Sequence, residues 1–321
     1  MYKEGYNCLS KPVVVIGGPS ASGKSNLAVA LSCEFNGVVI NADSMQVYKG
    51  LEIISGVPTP EIRSSCPHFL YGVLDPEDPC SAGMWKELAV EQIKKAHRYH
   101  RVPIVVGGTG LYLRSLITGI NIIPPVPEFI RQNIRNRIKN EGAKFLHSEL
   151  ALYDPEAASR IEINDRQRIS RALEIYFSTG KKLSDWQTGI QTSEDEYKFF
   201  KIIILPRRKS LYHHCDKRFL TMVENGIIRE VESLIARGLS PSLPAMKALG
   251  VKQIISYLQG DIQLHEAISL SQLATRQYVK RQFTWFKNQI ITDMIIKEQY
   301  SEKIREKIFP DIRKFLLTNL T

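Results

Sequence analysis

Gly18-Pro19-Ser20-Ala21-Ser22-Gly23-Lys24-Ser25 fills every position of a G-x-x-x-x-G-K-[ST] phosphate loop. It follows the apolar run Val13-Val14-Val15-Ile16 and opens into the helical pattern Asn26-Leu27-Ala28-Val29-Ala30-Leu31. That is the strand–loop–helix setting in which such a loop works. Loop N–H groups and the positive end of the helix attract an anion. Lys24 adds a point charge, and the Ser25 hydroxyl can ligate magnesium. The loop specifies phosphate or pyrophosphate, not the molecule that carries it. A glycine- and serine-rich turn is the plain alternative.

Four further segments carry chemistry. The second apolar run ends Ile40-Asn41-Ala42-Asp43-Ser44-Met45-Gln46-Val47-Tyr48. In an open α/β sheet, ligands bind beyond the carboxyl ends of the strands, which puts Asp43 on the rim of the phosphate loop. A carboxylate there can hold magnesium or accept a proton; capping the next helix is the competing role. The third run ends Gly107-Gly108-Thr109-Gly110-Leu111-Tyr112, where glycines admit close backbone approach and Thr109 offers a hydroxyl. Asn164-Asp165-Arg166-Gln167-Arg168-Ile169-Ser170-Arg171 places arginines at one helix start, with Arg168 and Arg171 on one face. Thr275 to Lys287 interleaves Arg276, Lys280, Arg281 and Lys287 with Tyr278, Phe283, Trp285 and Phe286. Such a helix suits phosphate contact or base stacking, and equally an amphipathic core helix with a basic outer side.

The elements that position these residues follow from pattern. Val13–Ile16, Val38–Ile40, Ile104–Val106 and Ile202–Leu205 read as buried parallel strands. Helical patterns separate them, so the expected fold is α/β, a P-loop-like parallel sheet core. A helical domain is inserted in it, over residues 122–197, within a core of 1–121 plus 198–321. There Ile130, Ile134 and Ile138 recur every four positions, with Arg131, Arg135, Arg137 and Lys139 between them, and a second helix is expected from Gln167 to Ser178. The acidic stretch Ser193-Glu194-Asp195-Glu196 reads as a closing loop.

Composition narrows the partners. The net charge is +10, and from Lys198 to Lys287 fifteen Lys and Arg stand against six Asp and Glu. Excess positive charge gathered in one third of the chain suits a polyanion such as a nucleic acid. No run approaches the roughly 20 apolar residues of a membrane span. Met1 to Pro12 lacks an apolar stretch of signal-peptide length, and Cys8, Cys33, Cys66, Cys80 and Cys215 form no C-x-x-C pair. A reduced, cytoplasmic setting is expected, without zinc or membrane.

Together the blocks resemble the tRNA dimethylallyltransferases, also called tRNA isopentenyltransferases. The resemblance rests on Gly18–Ser25, Ala42–Tyr48, Leu74-Asp75-Pro76, Gly107–Tyr112, Asn164–Arg171, Leu249-Gly250 and Thr275–Lys287, and covers roughly residues 12 to 290. It implies transfer of a dimethylallyl group from dimethylallyl diphosphate to the N6 amine of the adenosine 3′ to the anticodon. The diphosphate would occupy Gly18, Pro19, Ser20, Ala21, Ser22, Gly23, Lys24 and Ser25, with magnesium on Ser25. Asp43 would be the catalytic base, with Ser20 and Arg218 beside the leaving group. Asp43, Ser44, Met45, Gln46, Thr109, Gln167, Arg168, Ile169, Ser170, Arg171, Arg276 and Lys280 would meet a tRNA anticodon stem-loop. A monomer is expected.

The sequence departs from the family pattern in three places. Ser20 stands where the family usually has threonine, which keeps the hydroxyl. Ile54-Ser55-Gly56-Val57-Pro58 replaces Gly-Thr-Ala-Lys-Pro, losing a base at Val57. No cysteine follows Cys215, so the zinc finger of some eukaryotic members is missing and the chain looks bacterial in type. The rival readings are an isopentenyltransferase for free adenine nucleotides, a P-loop kinase or ATPase, and a non-catalytic RNA-binding protein.

Overall fold

Residues 10–121, 123–188 and 196–320 are described by the structure, a computed structural model. Ser193 to Asp195 of the expected acidic loop, and Cys8, lie outside them. The chain divides into two compact units, Thr118–Ser193 and the remainder.

The larger unit is built on β1 (Lys11–Gly17), β2 (Gly37–Asn41), β3 (His68–Phe69), β4 (Val102–Gly107), β5 (Tyr197–Ile204) and β6 (Met294–Ile296). They form one sheet in the order β3-β2-β4-β1-β5-β6. All pairings are parallel. The four expected strands are its centre; β3 and β6 extend its two edges. At two and three residues, these edge strands are too short to display a period.

Side chains alternate across a strand, so β1 feeds both faces. Val13 and Val15 enter one core with Trp85, Ile93, Leu113, Ile227, Val251 and Phe286. Val14 and Ile16 enter the other with Leu27, Leu31, Ile304, Ile308, Ile312 and Leu316. Burial on both faces is why these strands read as unbroken apolar runs. The helix Ala82–Arg98 lies over the first face. Lys24–Glu34 and Lys303–Leu320 lie over the second, the latter through an isoleucine stripe at every fourth residue.

Register sets the rim. Gly17 pairs with Gly107, and Asn41 with Val106, so β1, β4 and β2 end level. At Gly107 a Cβ would lie 2.0 Å from the Ala42 carbonyl oxygen, a contact only glycine avoids.

The smaller unit is helical: Glu128–Asn140, Ala143–Tyr153, Pro155–Arg160, Arg166–Thr179 and Leu183–Gln187. Its core is Ile134, Leu146, Leu150, Ile169, Ala172 and Leu173. Buried Asp154 ties it together: Oδ1 accepts from Ala157 N (3.0 Å) and Ser184 Oγ (2.8 Å), and Oδ2 from Ser184 N (3.0 Å). Tyr197, inside the span expected for the insertion, opens β5 and pairs with Lys11.

Candidate active site on the strand rim

The phosphate loop is shaped from behind. Ala21 has φ 60° and Gly23 φ 88°, and the helix Lys24–Glu34 begins directly after Gly23. No side chain caps this N-terminus and no acidic residue occupies its first turn, so its orphan N–H groups face outward uncompensated. Residues far along the chain hold the loop carbonyls. Gln299 Nε2 donates to Ala21 O (2.7 Å), Tyr300 N to Ser22 O (3.5 Å) and Cys215 Sγ to Ser20 O (3.8 Å). A planar trans peptide points its N–H opposite its C=O, so pinning these carbonyls turns the Ala21 and Gly23 N–H groups the other way.

Asp43 sits in a turn beyond β2 and caps no helix. Asn41 fixes the turn, accepting from Asp43 N (2.9 Å) and donating to the carbonyls of Asp43 (3.1 Å) and Leu70 (3.0 Å). Asp43 Oδ1 accepts from Met45 N (3.0 Å). Thr109 Oγ1 accepts from Ser44 N (2.9 Å) and donates to Ser44 Oγ (3.2 Å), joining the ends of β2 and β4.

Two cavities share Ser20, Asp43, Ser55 and Arg218. The first, about 290 Å³, is also lined by Met45, Ile54, Cys215, Phe219, Met222, Leu249 and Tyr278. It is largely apolar. The second is small and polar, with Lys24, Ser25, Gln46 and Tyr71 in its wall.

Charge in the polar cavity is unbalanced. Burial lowers the Lys24 ammonium to about 8, with Asp43 opposing the shift and Arg218 reinforcing it. Burial also lowers the Arg218 guanidinium. One nearby carboxylate, Asp43, meets two cations that burial disfavours, so an entering anion relieves both. Arg218 Nη2 donates to the carbonyls of Ser55 (3.3 Å) and Gly56 (3.4 Å). Gln46 Nε2 donates to the same two oxygens, at 3.1 and 3.0 Å. At Gly56, φ +67°, a Cβ would fall 1.4 Å from Arg218 Nη2; the chain therefore keeps glycine where the guanidinium lies. The segment is anchored this way without a base at Val57.

Gln282 lies in the helix Leu264–Gln289, within the basic–aromatic segment, and belongs to no motif. It is buried; Oε1 accepts from Ser20 N (2.9 Å) and Oγ (3.3 Å), and Nε2 donates to Gly108 O (2.9 Å). Tyr278, one turn earlier, lines the apolar cavity. The signal for both was their spacing of four, which shares a helix face.

The proposed RNA contacts divide. Lys280 is exposed. Gln167, Arg168 and Arg171 are exposed on the first turns of Arg166–Thr179, with Arg168 beside Asp165 (3.5 Å) and Arg171 beside Glu174 (3.6 Å). Ser170 is half-buried, and Ile169 is wholly buried in the small unit's core, so its side chain anchors the helix instead of reaching RNA. Arg276 is engaged internally: Nη1 donates to both oxygens of Asp216, at 2.7 and 2.9 Å.

Comparison with known proteins agrees over nearly the whole chain. A sequence model of the IPP transferase family matches residues 46–289, and one of isopentenyl transferase matches 11–69. A tRNA dimethylallyltransferase of Rhodospirillum centenum is 46% identical, covering 88% of this chain and 90% of that protein. Its counterpart in Paramagnetospirillum magneticum is 42% identical, covering 96% and 98%. Among solved structures, the tRNA isopentenylpyrophosphate transferase of Bacillus halodurans superposes with TM-score 0.67 at 32% identity, covering 97% of each chain. A eukaryotic dimethylallyltransferase acting on tRNA superposes with TM-score 0.80 at 27% identity, covering 97% of this chain and 79% of that one.

Proposed function

The chain belongs to the tRNA dimethylallyltransferase family, and from that premise we propose that it transfers a dimethylallyl group from dimethylallyl diphosphate to the N6 amine of the adenosine 3′ to a tRNA anticodon. The observation that carries this is the pair of adjoining cavities, one polar and cationic, one apolar, with Asp43 and Arg218 in both. Diphosphate suits the first; the prenyl chain and an adenine ring suit the second. Relatives matching nearly the full chain are named for tRNA, which favours RNA over free nucleotides as acceptor.

The chain's own residues account for the chemistry. The C1–O bond of the substrate breaks and its electron pair leaves on the diphosphate, held by Lys24, Arg218 and the loop N–H groups. The N6 nitrogen bonds to C1, and its proton passes to the Asp43 carboxylate. Thr109 holds Ser44, the neighbour of Asp43, and Gln282 holds Ser20. Apolar Met45, Phe219 and Met222 exclude water that would otherwise capture the allylic carbon.

Magnesium fits the donors present. The Ser25 hydroxyl and the Asp43 carboxylate line the same cavity. Such a set suits an ion that keeps waters and takes its other oxygens from substrate phosphates. Ser25 would hold it, and it would supply further charge against the diphosphate. Outside the cavity, Gln167, Arg168, Arg171 and Lys280 offer exposed polar and basic side chains to RNA. No helix among the described residues is long and apolar enough to cross a membrane.

The test is mass spectrometry of nucleosides from tRNA incubated with the protein, magnesium and dimethylallyl diphosphate. N6-dimethylallyladenosine is expected. Its absence, with modified free adenosine monophosphate found instead, would reassign the acceptor.

A further inference from the structure

The backbone around Tyr71 is unusual. After β3 the chain passes through Leu70 at φ 64°, then Tyr71, then Gly72 at φ 57°. A left-handed glycine is ordinary, but a buried leucine there is an outlier, and such residues persist only where surrounding bonds impose them. Those bonds are present. Leu70 O accepts from the buried Asn41 side chain (3.0 Å), and Gly72 N donates to Gln46 O (2.9 Å). Asn41 and Gln46 flank Asp43 in sequence. The kink is therefore sewn to the segment that carries the proposed base.

The kink sends Tyr71 in two directions at once. Its ring packs against the core of Val14, Ile16 and Leu27, and lies 5.7 Å from the His68 ring. Its far end reaches the polar cavity, whose wall includes Lys24, Ser25, Asp43, Gln46 and Arg218. That wall is polar almost throughout, so Tyr71 presents its hydroxyl there, not its ring. The hydroxyl has no hydrogen-bond partner among the described residues. Burial, then the charge of Asp43, hold the phenol above its usual range. It stays protonated and keeps an uncharged O–H to donate.

We propose that Tyr71 is a diphosphate-binding residue, its O–H donating to an oxygen of the diphosphate held by Lys24, Arg218 and the loop. The inference rests on the function proposed above. It adds a neutral donor from the β3 side to the cations on the other walls. A donor there complements Lys24 and Arg218 because it adds no further positive charge to a cavity that already disfavours two cations. The strained Leu70 is then explained as the means of aiming a tyrosine that would otherwise continue the strand.

Calorimetric titration of the full chain with inorganic pyrophosphate and magnesium tests this, using wild type, Tyr71→Phe and Lys24→Ala. Tyr71→Phe keeps the ring and loses only the hydroxyl. Its pyrophosphate affinity should fall about ten- to a hundredfold, the worth of one hydrogen bond to a charged group. Its tRNA affinity and thermal midpoint should match wild type. Wild-type pyrophosphate affinity in Tyr71→Phe, with loss in Lys24→Ala, would overturn the proposal and leave the function standing. Unchanged affinity with a lowered kcat would overturn it too, by assigning the hydroxyl to Asp43. Absence of pyrophosphate binding by wild type would remove the function itself, and the proposal with it.

Discussion

Gln282 and Ser20 are 262 residues apart, yet the buried amide of one accepts both the main-chain N–H (2.9 Å) and the hydroxyl (3.3 Å) of the other. The same amide donates to Gly108 at 2.9 Å. One side chain thus couples the phosphate loop after β1 to the glycine turn after β4. Gln282→Leu strands a buried donor and a buried acceptor, so stability should fall by about 1–3 kcal/mol. In the folded variant the KM for dimethylallyl diphosphate should rise and kcat should fall, with tRNA affinity unchanged. Urea unfolding together with steady-state kinetics measures both. Normal kinetics in a destabilised variant would reduce Gln282 to structural glue.

Asp43→Ala removes the only carboxylate lining either cavity. Single-turnover transfer should slow by roughly 10²–10⁴-fold, the usual worth of a positioned base. Tyr48, Asn41 and Trp85 hold the strand end independently, so tRNA binding should persist. A near-normal rate would take the base role from Asp43.

Lys24, lowered to about 8 by burial, sets a pH dependence. Only the ammonium form pairs with an anion, so pyrophosphate affinity should hold below pH 8 and decline above it. Proton uptake on binding, read by calorimetry in buffers of different ionisation enthalpy, should appear above pH 8 and vanish in Lys24→Ala. The stability linkage has the opposite sense. The folded chain binds fewer protons than the unfolded one between about 8 and 10.5, so this residue's contribution to stability improves as pH rises through that window. An affinity that climbs with pH would contradict the assignment.

The basic residues should separate in a salt series. Alanine at Arg168, Arg171 or Lys280 should weaken tRNA binding and reduce the log–log salt slope by roughly 0.7 to 1, the loss of one phosphate contact. Arg276→Ala should leave the slope alone. Its two bonds to Asp216 instead tie Leu264–Gln289 to Arg208–Glu224, so the variant should lose on the order of 1 kcal/mol of stability, its pair being partly exposed. Thermal unfolding beside filter binding distinguishes the cases. Unchanged slopes in the first three would move the RNA elsewhere.

Features that repeat over a few residues were legible without coordinates. The loop Gly18–Ser25 lies in eight consecutive positions, and the β1, β2, β4 and β5 runs announce strands buried on both faces. The four-residue period of Ile130, Ile134 and Ile138 gives a helix, and Gly180 ends another with φ 69°. Asp43 could be placed on the rim because strand ends in a parallel sheet share one edge. What the chain order could not express is which side chain meets which across the fold. Arg276 and Lys280 look alike in sequence, and only the approach of Asp216 makes one an internal tie. Ile169 sits inside an arginine-rich string, but the helix turns it into the core. Tyr71 and Gln282 carry no motif. Their roles depend on a left-handed leucine and on contacts spanning 29 to 262 residues. Local propensity fixes elements; the site is made where distant elements converge, and there the directing forces are burial and hydrogen-bond satisfaction between segments that the sequence keeps apart.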